Sequence, residues 1–179
     1  MLDADAILRS SRLELPLLSL DQLEQVAAGH LGELASDLDA TLADEWGAEV
    51  RRLAGFRARQ LRQRPADAPW LLRPIIRAEP PLPREAIGYL NFHAGPDERG
   101  MVEIGYTLLP AHRGRGFAIE AVRAAFDWAT RVHAIHLFRA SVAPDNERSL
   151  NLIGKLGFVR TGEQWDPEDG LELVYELEV

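Results

Sequence analysis

Alternating apolar and polar side chains predict β-strands along much of the chain. In the clearest case, every second residue from Leu171 to Val179 is apolar and mostly glutamates stand between them, the period of a half-buried strand. Shorter stretches of this kind predict strands at residues 12–18, 70–77, 86–93, 101–109 and 135–142. Residues 95–100 have the composition of a turn, so the strands on either side of it should pair antiparallel.

Apolar residues at intervals of three and four predict helices between these strands. Ser19 and Gln22 fit a capping box, which predicts a helix that begins at residue 20 and ends at Gly29. The same periodicity predicts three further helices, over residues 31–64, after residue 116, and over residues 147–156.

The order of these elements predicts the fold class. Strands and helices mix along the chain without repeats or a convincing linker, and 179 residues with 46% hydrophobic content suffice for one core. We therefore expect a single α/β domain over residues 1–179, built on a mixed sheet.

Cysteine and histidine usage limits the possible chemistry. The chain has no cysteine, which excludes disulfides, thiolate zinc sites and a cysteine nucleophile. The histidines show no spacing with carboxylates typical of a metal site, so we predict no metal. We expect His93 to be the one that faces a substrate cleft, among His30, His93, His112, His133 and His136.

The charge and the termini narrow the classes of partner. A net charge of -8 disfavours nucleic acid as a partner and favours a cationic molecule such as an amine. The arginines of residues 51–64 predict a solvated helix face, or alternatively a contact with an anionic partner. Residues 1–5 are acidic, and no apolar run is long enough for a membrane span. We therefore expect a cytoplasmic protein without membrane contact.

A glycine-rich loop, His112-Arg113-Gly114-Arg115-Gly116-Phe117-Ala118, lies between a predicted strand and a predicted helix. Glycines let the backbone approach a ligand closely, and the first amides of a helix lack intrahelical partners. Such a loop can bind pyrophosphate, although a tight turn with solvated arginines has the same sequence.

Two other nucleotide motifs fit this loop less well. A Walker A loop needs Gly-Lys-Ser/Thr, which the chain lacks. A dinucleotide fingerprint needs a third small residue where Ile119 stands, and an acid at the end of the next strand, near Arg139 and Ser141. Since Arg139 would suit a 2′-phosphate, an NADP-type site stays open as an alternative.

The loop and its neighbours resemble one family. Residues 113–118 match Arg/Gln-x-x-Gly-x-Gly/Ala, which is similar to the acetyl-CoA pyrophosphate loop of the GNAT N-acetyltransferases. Four flanking segments resemble the branch that contains ribosomal-protein N-acetyltransferases: Ser11-Arg12-Leu13-Glu14-Leu15, Glu103-Ile104-Gly105-Tyr106, Asn146-Glu147-Arg148-Ser149 and Lys155-Leu156-Gly157-Phe158. The resemblance is specific over residues 87–158 and thin over residues 31–84.

The resemblance implies a GNAT fold, with a largely antiparallel mixed sheet splayed into a V between the strands at 101–109 and 135–142. It also implies acetyl-CoA as the cofactor. Backbone groups around Leu108 and Leu109 would pair with the pantetheine arm. The pyrophosphate would contact Arg113, Gly114, Arg115, Gly116, Phe117 and Ala118. Asn146 would bond the arm near the thioester, with Ser149 beside it, although both are also natural helix caps.

Acetyl transfer to an amine needs a group that removes a proton from the amine. Glu103 is our candidate base, and Tyr106 and Ser149 are lesser catalytic candidates. Many members of the family have a tyrosine acid seven residues after the asparagine, where this chain has Ile153. The general acid is therefore open: Ser149 is one candidate, and the thiolate could also leave unaided.

The predicted function is N-acetylation of a primary amine, which attacks the thioester of acetyl-CoA directly. The acceptor could be a peptide N-terminus, a polyamine-like molecule or an aminoglycoside, and residues 31–84 are the predicted region of acceptor specificity. The alternative is a GNAT-fold protein that binds an acyl-CoA as a sensor without turnover. A homodimer is expected from analogy with such folds alone.

Overall fold

The computed structural model describes residues 6–168 and 170–179. Its eight strands form one open sheet in the order β1-β2-β3-β4-β5-β6-β8-β7. Every neighbouring pair is antiparallel except β5 and β6, which are parallel. The strands β1 to β8 are, in order, Ile7–Arg9, Leu13–Pro16, Arg73–Arg77, Glu85–Phe92, Met101–Leu108, Leu137–Val142, Val159–Asp166 and Gly170–Glu178.

Five helices cover the sheet in two layers. Helices α1, α2 and α3 span Leu20–Ala28, Leu31–Asp37 and Asp44–Gln63, whereas α4 and α5 span Phe117–His133 and Glu147–Leu156. The first three helices contribute to one buried cluster around Trp46. The last two contribute to a second cluster, on the opposite face of the sheet, in which Phe126 stacks on Phe138. No helix within the described residues is long and apolar enough to cross a membrane.

Several local predictions are confirmed. Ser19 caps α1 with a complete capping box to Gln22, and Gly29 ends the helix in the left-handed conformation. Gly157 ends α5 in the same conformation, and β4 and β5 pair antiparallel as expected. The predicted mixed, largely antiparallel sheet is also present.

The prediction of one helical stretch over residues 31–64 was wrong. The helix breaks between α2 and α3, where Asp39 has a positive φ of 47°. Arg84, which precedes β4, provides a hydrogen-bond donor for the backbone at this break, since its Nε donates to the Asp39 carbonyl at 2.8 Å. Thr41 forms an isolated bridge with Glu85 of β4. The contacts that break the helix therefore come from residues far along the chain.

Two strand predictions differ from the structure. Strand β7 was not predicted, because nearly all of its side chains are exposed and no apolar alternation marks it. Strand β3 begins at Arg73 rather than at residue 70, because Pro65–Trp70 form a 3₁₀ helix. The prediction from the acidic residues 1–5 lies outside the described residues.

The sheet splays open between β5 and β6. The two strands pair only at Met101–Leu137, Val102–Phe138 and Glu103–Arg139. Beyond Glu103, β5 continues against β4 and β6 continues against β8. The predicted V between these two strands is thus present in the fold.

The close approach of β4 and β5 at Gly88 gives a stability prediction. A Cβ at this position would lie 2.1 Å from the carbonyl oxygen of Thr107. We expect Gly88→Ala to lower the free energy of unfolding by about 1–3 kcal/mol, as overpacking does. Urea denaturation would measure the change.

Gly154→Ala is the matched control. An added Cβ at Gly154, inside α5, meets no atom within 4 Å, and alanine favours a helix interior by about 0.5–1 kcal/mol. Equal stability of the two variants would contradict the close approach at Gly88.

Candidate functional site

The gap between β5 and β6 exposes backbone hydrogen-bonding groups of β5. The carbonyl of Glu103 accepts from the His93 amide, and the Leu109 amide donates to the Ile87 carbonyl. Because backbone groups of a strand alternate in direction, Tyr106 and Leu108 direct theirs away from β4 and into the gap. These groups require water or a ligand where no strand pairs with them.

A cleft of about 830 Å³ opens at this gap. Its size is in the range of small-molecule sites. Four parts of the chain form its walls: the end of β5, the glycine loop, the first turn of α4, and one side of α5. The lining residues are Tyr106, Thr107, Leu108, Arg113, Gly114, Gly116, Phe117, Ala118, Ile119, Asn146, Arg148, Ser149, Asn151, Leu152 and Lys155.

The glycine loop has the conformation of an anion site. Gly114 and Gly116 have φ values of 74° and 82°, in a region that side chains rarely adopt. Gly116 is the N-cap of α4, and among the described residues no side chain caps that end by a hydrogen bond. The first amides and the positive end of the helix dipole therefore remain available to a negatively charged group.

Most predicted cofactor residues line this cleft. Leu108, Arg113, Gly114, Gly116, Phe117, Ala118, Asn146 and Ser149 all do so. Arg115 does not, although its carbonyl supports the loop from behind by accepting from Arg12. Leu109 is outside the cleft too, because its amide is bonded to Ile87 and its side chain is buried with α1–α3.

Arg113 contacts the strand rather than projecting from the loop. Its Nε donates to the carbonyl of Leu108 at 2.8 Å. This bond fixes the end of β5 to the glycine loop and uses one of the carbonyls that face the gap. The cation nevertheless remains at the wall of the cleft.

Asn146 is the N-cap of α5, which is one of the two roles expected for it, the other being a bond to the pantetheine arm. Its side-chain oxygen accepts from the Ser149 amide at 3.2 Å. The bond leaves the NH₂ group of Asn146 for other partners. Ile153, at the position of the family's tyrosine acid, is buried in the core with α4.

The candidate catalytic residues lie on opposite faces of the sheet. Glu103 and Tyr106 are an odd number of residues apart on β5, so their side chains point in opposite directions. Tyr106 packs beside the α4–α5 core. Burial raises the pKa of its hydroxyl, and an interaction with Ser149 opposes that rise. Tyr106 therefore stays protonated at neutral pH.

Glu103 is part of a polar cluster on the α3 face of the sheet. Its Oε1 accepts from Ser141 Oγ at 2.6 Å, and Ser141 in turn accepts from Gln164 at 3.2 Å. His93 Nδ1 lies 3.7 Å from the same carboxylate oxygen. Desolvation lowers the pKa of His93, Glu103 opposes this effect and Arg57 adds to it. The imidazole is therefore neutral at pH 7.

Helix α3 packs next to this cluster and forms hydrogen bonds to it through Arg57. Arg57 is buried, and it donates to the Asn91 side chain at 3.0 Å and to the His93 carbonyl at 2.7 Å. Burial lowers the pKa of Arg57 to about 10, so it is still a cation at neutral pH. Farther out, Arg52 of α3 forms an exposed ion pair with Glu168 of the β7–β8 turn. The cluster therefore lies between α3 and that turn.

Sequence patterns missed a set of cleft residues on α5. Arg148, Asn151, Leu152 and Lys155 recur at intervals of three, one and three, the spacing of one helix face. That spacing was a usable signal, since it places two cations beside the glycine loop. The contact of Glu103 with Ser141 had no such signal, because it joins two strands. The part of the chain that the structure describes has no group of three or more candidate metal ligands.

The fold and the cleft agree with one family. The model of the acetyltransferase (GNAT) domain matches residues 16–159, which is most of the chain. The protein therefore belongs to the GNAT acetyltransferase family.

Individual relatives match over part of the sequence. The N-acetyltransferase YjdG of Bacillus subtilis is 35% identical over 75 residues, covering 42% of this chain and 45% of the relative. The [ribosomal protein uS5]-alanine N-acetyltransferase of Escherichia coli is 34% identical over 82 residues, covering 44% and 41%. These matches span less than half the length of either relative.

The similarity to solved structures extends over nearly the whole fold. A ribosomal L7/L12 alpha-N-protein acetyltransferase in complex with coenzyme A superposes with a TM-score of 0.66 at 19% identity, covering 97% of this chain and 98% of that one. An acetyltransferase of the GNAT family from Bacillus anthracis superposes with a TM-score of 0.63 at 17% sequence identity, covering 96% of this chain and 98% of that one. At these identities the similarity defines the fold.

The cap at Asn146 gives a second prediction. We expect Asn146→Ala to lower the free energy of unfolding by about 1 kcal/mol, because the first turn of α5 loses its cap. Asn146→Asp should retain the stability, since aspartate caps equally well. Chemical denaturation without ligand measures both, and an unchanged alanine variant would mean that the bond to Ser149 contributes nothing.

Proposed function

We propose that this protein is an N-acetyltransferase that uses acetyl-CoA to acetylate a primary amine. The observation that carries the proposal is the cleft itself. It joins an uncapped helix N-terminus with two positive-φ glycines to the unpaired backbone of a splayed strand. A ligand with a pyrophosphate at one end and an extended amide arm at the other fits both halves.

The residues present suit coenzyme A. The amides at the start of α4, with Gly114 and Gly116, would hold the pyrophosphate. The backbone of Tyr106 and Leu108 would pair with the amide arm, with the Asn146 side chain on the opposite wall. Arg148 and Lys155 add positive charge to the lining. When bound, acetyl-CoA supplies an acetyl thioester.

Glu103 is the proposed proton acceptor for the amine. Its carboxylate is partly exposed, with 21% of the side chain accessible, and Ser141 fixes one oxygen while the other is left for a substrate or a water. An N-terminal α-amine has an ordinary pKa of about 7.7–8.0 and a lysine amine about 10.4. More of a peptide N-terminus is therefore already neutral at pH 7, so its acetylation depends less on proton removal by Glu103 than that of a lysine amine does.

The proton for the departing thiolate would come from the α4–α5 face of the sheet, opposite the face on which Glu103 lies. Tyr106 is protonated at neutral pH and lines the cleft close to Ser149. We propose Tyr106 as the acid, with Ser149 beside it. This assignment replaces the tyrosine that the family often places on the helix, because Ile153 is buried there.

The acceptor would approach from the α3 side, where Glu103 and His93 lie. This location supports residues 31–84, which include α3, as the region of acceptor specificity. The relatives that act on ribosomal-protein N-termini make a peptide N-terminus the first acceptor to test, and a small cationic amine the second.

The cofactor assignment predicts a thermal shift. At a hundredfold excess over its dissociation constant, acetyl-CoA should stabilise the protein by about 2.7 kcal/mol, or raise Tm by roughly 5–10 °C. NADPH at the same concentration should have no such effect. Differential scanning calorimetry with each ligand measures the shift.

Gly116→Glu should abolish the shift, because a side chain at positive φ strains the loop and its carboxylate repels phosphate. Gly32→Glu is the matched control, since an added Cβ on Gly32 of α2 meets no atom within 4 Å. A shift with NADPH alone would refute the cofactor assignment.

Glu103→Gln tests the chemistry apart from cofactor binding. We expect kcat/KM for a good amine to fall by about 10²–10⁴, because no group at this position can then accept the proton of the amine. The dissociation constant of acetyl-CoA should not change. Glu178→Gln, at the end of β8, is the control carboxylate and should behave as the unaltered protein does.

Thiol release from acetyl-CoA, followed with a chromogenic disulfide, is the assay for peptide, polyamine and aminoglycoside acceptors. Full activity of Glu103→Gln would remove Glu103 from the mechanism. Tight binding of acetyl-CoA without turnover on any of these amines would favour the non-catalytic acyl-CoA sensor instead.

A further inference from the structure

A partly buried ion pair between Arg12 and Glu120 lies beside the glycine loop, on the side away from the cleft. Glu120, in the first turn of α4, accepts hydrogen bonds from Ser10 Oγ at 2.7 Å, Ser11 Oγ at 3.1 Å and the Arg12 amide at 2.9 Å. Arg12 Nε donates to its second oxygen at 2.8 Å. All four donors come from the segment that joins β1 to β2.

The same arginine contacts the loop at three other points. Both of its terminal nitrogens donate to the Arg115 carbonyl at 3.3 Å. Its guanidinium lies 4.4 Å from the centre of the Phe117 ring, and Nη2 lies 3.5 Å from the place of a Cβ on Gly116. One planar group thus holds the residue before and the residue after Gly116.

Glu120 places a negative charge close to the helix N-terminus at which the phosphate would bind. A carboxylate in the first turn of a helix would repel a phosphate bound at that N-terminus, because both are anions. The burial of Glu120 by itself raises the pKa, but the bonds from Ser10, Arg12 and Ser11 hold it below its ordinary value. The group is therefore ionised, and its charge is offset locally by Arg12 at 2.6 Å.

Neither residue of the pair lines the cleft. A direct role in contacting the ligand therefore does not account for this arrangement. What the contacts determine is the shape of the loop, since they fix the Arg115 carbonyl on the far side from the cleft and leave the amides of the turn directed toward it.

We propose that Arg12, clamped by Glu120, is a positioning residue that preorganises the glycine loop for the pyrophosphate of the cofactor. This inference rests on the proposed function, because it takes a coenzyme A ligand as given. It adds that the N-terminal strands, outside the residues that line the cleft, determine the affinity for the phosphate end of that ligand.

The test compares CoA with S-acetylpantetheine, which lacks the pyrophosphate together with the nucleotide that it carries. We expect Arg12→Gln to weaken the binding of CoA about tenfold, because a loop that is no longer held in shape must be ordered when the ligand binds. Binding of S-acetylpantetheine, which has the same arm without the pyrophosphate, should be unchanged. Isothermal titration measures both constants, and a melting curve checks that the variant is folded.

Arg131→Gln is the matched control, since Arg131 pairs with Asp127 on the same helix at its other end. It should bind both ligands as the unaltered protein does. Arg12→Lys retains the charge but loses the planar fork, and we expect it to weaken CoA binding as well.

Two results would overturn the inference. An Arg12→Lys variant that binds CoA normally would show that charge alone matters, and equal losses for the two ligands in Arg12→Gln would show a general structural effect. If the unaltered protein fails to bind CoA, the proposed function itself is wrong and the clamp has no such role.

Discussion

The early separation of β6 from β5 is the constraint on which the site depends. On the side away from the gap, β5 stays paired with β4 and β6 stays paired with β8. The sheet therefore remains hydrogen-bonded on both sides of the gap. The backbone of Tyr106 and Leu108 is nevertheless left without a strand to pair with. Arg113 satisfies only one of the carbonyls. An extended, amide-bearing ligand is thus the natural complement of this edge.

The same separation makes the two faces of the sheet meet at one point. Tyr106 with the α5 cap lies on one side, and Glu103 with Ser141 and His93 lies on the other. A donor and an acceptor could therefore occupy the protein together without competing for space. That arrangement suits a direct attack of the amine on the thioester, and a chain without cysteine offers no thiol to carry the acetyl group between the two.

The features that sequence predicted well are those set by nearby residues. The capping box at Ser19, the stop at Gly157 and the glycine loop each depend on a few consecutive positions. The break between α2 and α3 was predicted wrongly, because Arg84 determines it from elsewhere in the chain. The bond of the Leu109 amide to Ile87 likewise has no signal in the sequence around Leu109. The neighbours of Glu103 could not be predicted either, since Ser141 reaches it through a strand pairing that no local pattern specifies.

The contact between Arg12 and Glu120 also bears on how the molecule folds. The two residues are 108 positions apart, and contacts of such separation form late because a long loop must close first. Helix formation is far faster, on the order of microseconds or less. Helix α4 can therefore exist in the folding chain well before the turn in front of it has a defined shape, so ligand binding would report the completion of the fold rather than the presence of the helix.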